Sequence, residues 1–477
     1  MRTLVWFRGK DLRVSDHAPL HEAARAGDVI PVFVLDPYFF APERARRLPH
    51  RIAFLLESLA SLEQNLAARG SRLLLVAGKS TEVIPRLADA LAVDRVVAHR
   101  WVEPFARERD ARVKAGLGDR FRLYEGETLV TPGTVRTQGG GPFSVYTPFA
   151  RAVRKHIDGR APLAAPKTLP PLPADVGVKE AELPTLESLG ISRNPHIQRG
   201  GEKHARDRMK TFFRGGAARY DADRDRMDRA GTSRLSADLK FGTLSIRTLW
   251  HHALAAQSSG EVASVPIEKL LSELLWREFT HHSLWDRPTL LEEPFRTDFI
   301  GFPWRDDEAG YAAWARGETG YPIVDAAQRQ LLGEGYVHNR ARMITASFLA
   351  KHLLVSYRRG EAHFMEWLTD GDWAQNNAGW QWSAGCGCDA QPYFRVFNPV
   401  SQGERFDPEG EYVRRWVPEL ARLPSKHIHA PWLAPSDVLT AAGVRLGDDY
   451  PRPIVDHAKA RARFLETAKA HLAKARS

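Results

Sequence analysis

The chain has 477 residues, 43% of them hydrophobic and 26% charged, which suits a globular protein of two or three domains. Its net charge of +10 favours a polyanionic partner such as nucleic acid. The only two cysteines, Cys386 and Cys388, are one residue apart. That spacing excludes a disulfide framework, a cysteine zinc site and an iron–sulfur cluster, and reduced thiols point to the cytoplasm. No run of about twenty apolar residues occurs, so no membrane span is expected, and the opening MRTLVWFRGKDLR is too polar for a signal segment.

Residues 1–130 alternate strand and helix. Short apolar runs at Leu4–Arg8, Val29–Asp36, Ser71–Gly78, Arg95–Arg100 and Arg120–Gly126 read as buried strands. Helical stretches such as Arg51–Ala68 and Thr81–Ala92 lie between them. This pattern predicts an α/β domain with a doubly wound parallel sheet. The first strand–helix turn lacks GxGxxG, so it gives no dinucleotide fingerprint. Residues 131–193 read as a linker, with the turn Gly139–Gly141 and six prolines from Pro162 to Pro184. From residue 194 to 477 the period is helical: Leu270, Leu271, Leu274 and Leu275 form a stripe within Pro266–His282, and Met343–Tyr357 reads as a further apolar helix. The second domain is expected to be all-α.

The chemistry-bearing segments fall in this second part. TSRLS (Thr232–Ser236) opens a helical run, and hydroxyls beside a helix N-terminus suit a phosphate. An Arg at 342 in an apolar helix needs a buried partner, and Asp370 is the natural one. DGDWAQNNAGWQW (Asp370–Trp382) sets two acids and two adjacent asparagines among three tryptophans. Buried amides need hydrogen-bond partners, and a flat, polar-edged ligand would supply them.

Together with WREF (Trp276–Phe279), TGYPIVDAAQRQL (Thr319–Leu331), HNRARMITASFL (His338–Leu349) and DAQPYFRVFNPVSQGERFD (Asp389–Asp407), these motifs resemble the DNA photolyase/cryptochrome family. Within it they are most similar to the class I cyclobutane pyrimidine dimer photolyases. The resemblance runs from Leu4 to about the C-terminus and is densest from Gly231 to Pro418. It implies an N-terminal antenna domain, an all-helical FAD-binding catalytic domain and a carbon–carbon lyase activity. Excited reduced FAD would donate an electron to a flipped-out dimer in UV-damaged DNA.

Carried over residue by residue, Tyr220, Thr232, Ser233, Arg234, Leu235, Ser236, Arg277, Arg342, Asp370, Asp372 and Asn376 are expected to hold FAD, with Asn376 facing flavin N5. Trp276 and Trp382 are expected to wall the lesion, Glu273 and Asn339 to hydrogen-bond its base edges, and Met343 to pack on it. The family's (6-4) photolyases carry histidines at the last two HNRARM positions named, so Asn339 and Met343 imply cyclobutane dimers. Arg340 and Gln402 match DNA-contacting positions. Trp380 and Trp304 match the ends of a tryptophan electron chain whose middle position here is Tyr357, with Trp367 and Trp373 as neighbouring alternatives. Tyrosine is hard to oxidise without losing its proton, so this departure bears on photoreduction and not on repair.

A second antenna chromophore, of folate or deazaflavin type, is left open: Arg51 matches a deazaflavin-binding position, but Val102 and Ala106 stand where acidic partners would. A monomer without metal is expected. A cryptochrome-type blue-light photoreceptor is the alternative on the same scaffold.

Overall fold

The computed structural model describes residues 1–172, 176–390 and 392–475. Pro173 of the linker and Gln391 of the DAQPYFRVF motif lie outside the described residues. By contact the chain divides into two units: Met1–Ala218 with Ser233–Pro288 and Thr369–Ala374, and Arg219–Thr232 with Thr289–Leu368 and Gln375–Ser477.

The first unit is organised by five parallel strands, β1 (Thr3–Phe7), β2 (Val29–Leu35), β3 (Leu74–Ala77), β4 (Arg95–His99) and β5 (Phe121–Tyr124), in the order β3-β2-β1-β4-β5. Alternation along the strands feeds two separate cores. Val5, Phe7 and Phe33 meet Leu59 and Leu62 of α1 (Pro49–Ala67) on one face. Leu4, Trp6 and Val32 meet Ile84 and Leu87 of α2 (Ser80–Ala90) and Val113 of α3 (Pro104–Leu117) on the other. Both faces are covered, so the strands read as continuous apolar runs. Strand order reverses between β1 and β4, where open α/β sheets characteristically form a crevice beyond the strand ends.

Among its described residues, the segment read as a linker is irregular apart from a helix at Tyr146–Arg154. It is also pinned: Leu169 N–H donates to Arg69 O (2.7 Å) and Ala181 N–H to Leu75 O (2.8 Å). The helices α4 (Ser236–Phe241) and α5 (Ser264–Asp286) also count in the first unit.

The second unit is helical around one apolar core that includes Trp314, Phe348, Phe364 and Trp380. Among its described residues the only β pairing is an isolated bridge, Leu446–Tyr450. The motif TGYPIVD closes on itself here. Buried Asp325 accepts from Thr319 N–H (2.7 Å), Gly320 N–H (3.0 Å) and the Tyr450 hydroxyl (2.5 Å).

One helix expectation is corrected. Met343–Tyr357 is not continuous: α6 (Asn339–Ser347) passes into a π turn at Phe348–His352 and then breaks, with Leu354 at φ 57°. Ser356 caps a new helix, α7 (Tyr357–Trp367), by accepting from Arg358 N–H. The apolar period masks this break because both pieces bury the same kind of face.

Candidate active site

In the first unit α5 carries the WREF residues at its centre. Glu273 and Arg277 are one turn apart, and half-buried Trp276 stacks face to face on Tyr146, centroids 3.7 Å apart. Glu278 is fully buried and accepts from Leu129 N–H (3.0 Å) and Val130 N–H (3.3 Å), which clamps the segment after β5 against the helix. Arg277 donates from Nη1 to Glu127 O (2.7 Å). Its buried Nε has no hydrogen-bond partner among the described residues. Such an orphaned donor fits a ligand with acceptor atoms.

Asp372 belongs to a buried charge cluster that sequence reasoning missed. Lys10 Nζ pairs with Glu103 and Glu127 and lies 3.3 Å from Asp372. His281 Nε2 lies 3.5 Å from Glu127 and 3.6 Å from Asp372, with its Nδ1 on Arg277 O at 2.8 Å. Burial pushes the Asp372 carboxyl up, but Lys10 and His281 outweigh it and hold it well below the carboxylate range. Burial and Arg277 oppose protonation of His281, yet Asp372 and Glu127 raise it to about 9. For Glu127, Lys10 and His281 overcome burial and bring it to about 2. The hidden signal was a lysine directly after the first strand, which reads as surface charge.

TSRLS spans the start of α4: Ser236 is the first helical residue, Leu235 precedes it, and Arg234 takes a left-handed φ of 52°. Gln198 fixes the Arg234 carbonyl at 3.1 Å. The helix ends at Gly242, φ 63°, where a Cβ would run into the Lys10 carbonyl. This close approach needs glycine and brings the chain after β1 against α4.

A cavity of about 60 Å³, open to one side, lies at the β1/β4 reversal. The cations Arg8, Lys10 and Arg51 line it, as do Lys240 and the rings of Trp101, Phe105 and Trp373. Val102 and Ala106, the positions weighed for antenna recognition, are buried. Burial, then Arg51 and Lys10, hold the Lys240 ammonium well below the lysine range. A flat aromatic anion would be stacked and neutralised there.

Apart from Asp370 and Trp373, which belong to the first unit, the second unit holds the remaining expected residues. On the helix α8 (Trp373–Ala384), Asn376 donates its amide to Glu361 O (3.0 Å), which leaves its carbonyl oxygen as the acceptor. Asn377 is turned inward to Leu290 O (2.9 Å) and Glu361 (3.0 Å), so the adjacent amides are held for different tasks. Tyr220 is buried and the Thr232 hydroxyl lies 3.3 Å from that of Tyr336. Arg342 Nε donates to Val337 O at 2.8 Å. Asn339 is exposed, with its amide 3.8 Å from Met343 Sδ, and Trp382 is half-buried. Arg340 binds Asp225 at 2.9 Å over the Phe406 ring, and Gln402 is half-exposed. Trp304 and Tyr357 meet edge to face at 6.1 Å. Trp380 packs edge-on against Phe364 (5.0 Å) and Trp314 (5.9 Å), and Trp314 is another residue the sequence did not single out. Trp373 lines the cavity and meets Phe105, while Trp367 packs on the core of the second unit.

An α/β sheet with a cavity at its strand reversal, followed by a helical unit rich in inward amides and tryptophans, defines a two-part class of α/β-plus-helical proteins. Residues 3–171 match the family described as DNA photolyase, and residues 270–470 match the FAD binding domain of DNA photolyase. A deoxyribodipyrimidine photo-lyase of Agrobacterium fabrum is 42% identical, over 97% of this chain and 96% of its own. The chain belongs to the DNA photolyase family. The solved structure of a bacterial class III photolyase from Agrobacterium tumefaciens superposes with a TM-score of 0.92 at 41% identity, covering 99% of this chain and 98% of that one. The sequence expectation named class I; this relative is described as class III. A Synechocystis cryptochrome superposes with a TM-score of 0.89 at 31% identity, covering 98% and 99%.

Proposed function

We propose that the protein repairs cyclobutane pyrimidine dimers in UV-damaged DNA in a light-dependent, FAD-requiring reaction. The observation that carries this reading is the likeness to a named deoxyribodipyrimidine photo-lyase over nearly the whole of both chains. Reduced FAD, when bound, supplies the photoexcited electron that opens the cyclobutane ring and takes it back afterwards. The chain's own residues bind, orient and exclude water. Arg277, Arg342, Asp370, Asp372 and the Tyr220 and Thr232–Ser236 segments hold the cofactor, and Asn376 presents an amide oxygen to the flavin. Glu273 and Asn339 address base edges, Trp276 and Trp382 offer ring faces, and Met343 packs on the dimer. Base stacking on such rings is worth about 1–3 kcal/mol. Trp380, Tyr357 and Trp304 serve reduction of the resting cofactor, and Arg340 and Gln402 touch the DNA backbone.

In domain terms, residues 1–130 form the antenna domain, 131–193 the linker and 194–477 the catalytic domain. The aromatic, cationic cavity at the strand reversal takes an antenna chromophore, a planar anion. The protein works as a cytoplasmic monomer without metal. The test is an absorption spectrum of the purified protein followed by a light-dependent repair assay on UV-irradiated oligo(dT). Flavin absorption with restoration of the thymines supports the reading. Flavin that photoreduces without repairing would instead favour a cryptochrome-type photoreceptor.

A further inference from the structure

We infer that Lys10 is a positioning residue for the cofactor: its ammonium holds the Asp372 carboxylate as an ionised hydrogen-bond acceptor. The inference rests on the reading above, in which Asp372 contacts FAD. Its geometric basis lies wholly within the first unit. Lys10 Nζ contacts three carboxylates, Glu103, Glu127 and Asp372, and all four side chains are at most 7% exposed. The placement is built in: Gly9 turns the chain at φ 92°, and the Lys10 carbonyl sits where only Gly242 leaves room. Glu127 is fixed by Val102 N–H (3.0 Å), and His281 is aimed by its bond to the Arg277 carbonyl.

The groups facing Asp372 are Lys10, Glu103, Glu127, Arg277, His281 and Lys240. Three neighbouring carboxylates in a buried space cannot all stay ionised unless cations compensate them. Among the described residues, Lys10 is the one cation that touches all three. Without it, His281 and Arg277 remain against three acids, and a proton enters the cluster. An ionised carboxylate only accepts hydrogen bonds, whereas a protonated one presents a donor. The flavin ring system carries an imide N–H, which needs an acceptor. Lys10 therefore acts on FAD through Asp372 without touching it.

The experiment measures FAD affinity and urea stability across about pH 5 to 8 for the parent, K10M, K10R and K10M/D372N. The parent is expected to bind FAD with little pH dependence. K10M should bind more weakly at the acid end and recover as pH rises, approaching about tenfold per pH unit, the limit for one proton. K10R should behave as the parent, and K10M/D372N should lose the pH dependence. Stability of the FAD-free protein gives a separate readout. If the proton that replaces the Lys10 charge settles on Asp372, stability should fall as pH rises through this range and D372N should remove that slope; a slope that D372N leaves in place puts the proton on Glu103, whose carboxyl burial already pushes up, and overturns the inference. A K10M with the parent's profiles in both readouts overturns the inference. Failure of the parent to bind FAD overturns the functional reading instead, while the FAD-free stability profiles still test Lys10. If circular dichroism shows K10M unfolded, K10Q replaces it. The infrared carboxyl difference between parent and D372N must also report an ionised Asp372; a protonated signal at neutral pH overturns the inference.

Discussion

At the scale of single residues, Tyr357 separates two properties that usually travel together. It is buried, and its hydroxyl has no hydrogen-bond partner among the described residues. Burial raises its phenol above the ordinary range, and the cation beside it, Arg358, cannot take a proton. Tyr357→Phe removes an unsatisfied buried hydroxyl and should leave stability unchanged or raise it by about 1 kcal/mol, read from urea denaturation. Photoreduction of oxidised FAD should slow in the same variant if Tyr357 relays the electron, while repair by pre-reduced protein stays normal. At the lesion, Trp276→Ala should cost about 1–3 kcal/mol of binding to a dimer-containing strand, measured by titration with FAD still bound. Tyr146 stacks on one face of Trp276, so Tyr146→Ala should loosen the ring and reproduce part of that loss.

At the scale of elements, α7 and α8 meet through a glycine. A Cβ on Gly360 would enter the Trp380 indole and also approach Leu349. Gly360→Ala keeps a helix-favouring backbone yet overpacks the core, so it should destabilise by about 1–3 kcal/mol, read as a lower denaturation midpoint. It should also displace Trp380 and change the near-ultraviolet dichroism. The five strands were legible because each is a short apolar run between turn signals, and β1 to β5 fall within a few residues of their expected bounds. Break points were not. The π turn at Phe348–His352 and the left-handed Leu354 leave no mark on apolar periodicity, since tertiary packing and not local preference holds them. Among site residues, Asn376 and Asn377 stood out as polar groups that had to be satisfied. Lys10, Glu127 and His281 did not, because a buried charge cluster drawn from distant segments has no local signature.

At the scale of the whole molecule, charge sets two dependences. With a net charge of +10, affinity for DNA should fall steeply with salt for damaged and undamaged strands alike, the undamaged slope reporting the phosphate contacts. His281 sets a pH limit. Its folded pKa of about 9 exceeds the ordinary value of 6.5, so its stabilising contribution is complete below about pH 6.5 and is lost as pH rises through 9. The melting temperature should therefore drop between those values, by the equivalent of up to about 3 kcal/mol, and His281→Gln should flatten that limb.

The contact between Lys10 and Asp372 also imposes a timetable, because 362 residues of chain separate its partners. Closing a loop of that length costs on the order of 5 kcal/mol in chain entropy, so the cluster cannot nucleate folding. On a ribosome adding about 5–20 residues each second, roughly twenty seconds to a minute pass between synthesis of the two groups. Throughout that interval the sheet can form, but the hexapeptide Thr369–Ala374 that completes the first unit has yet to emerge. Maturation of this half of the molecule is thus gated by the growth of the other, and Asp372 joins Lys10 only late in biosynthesis.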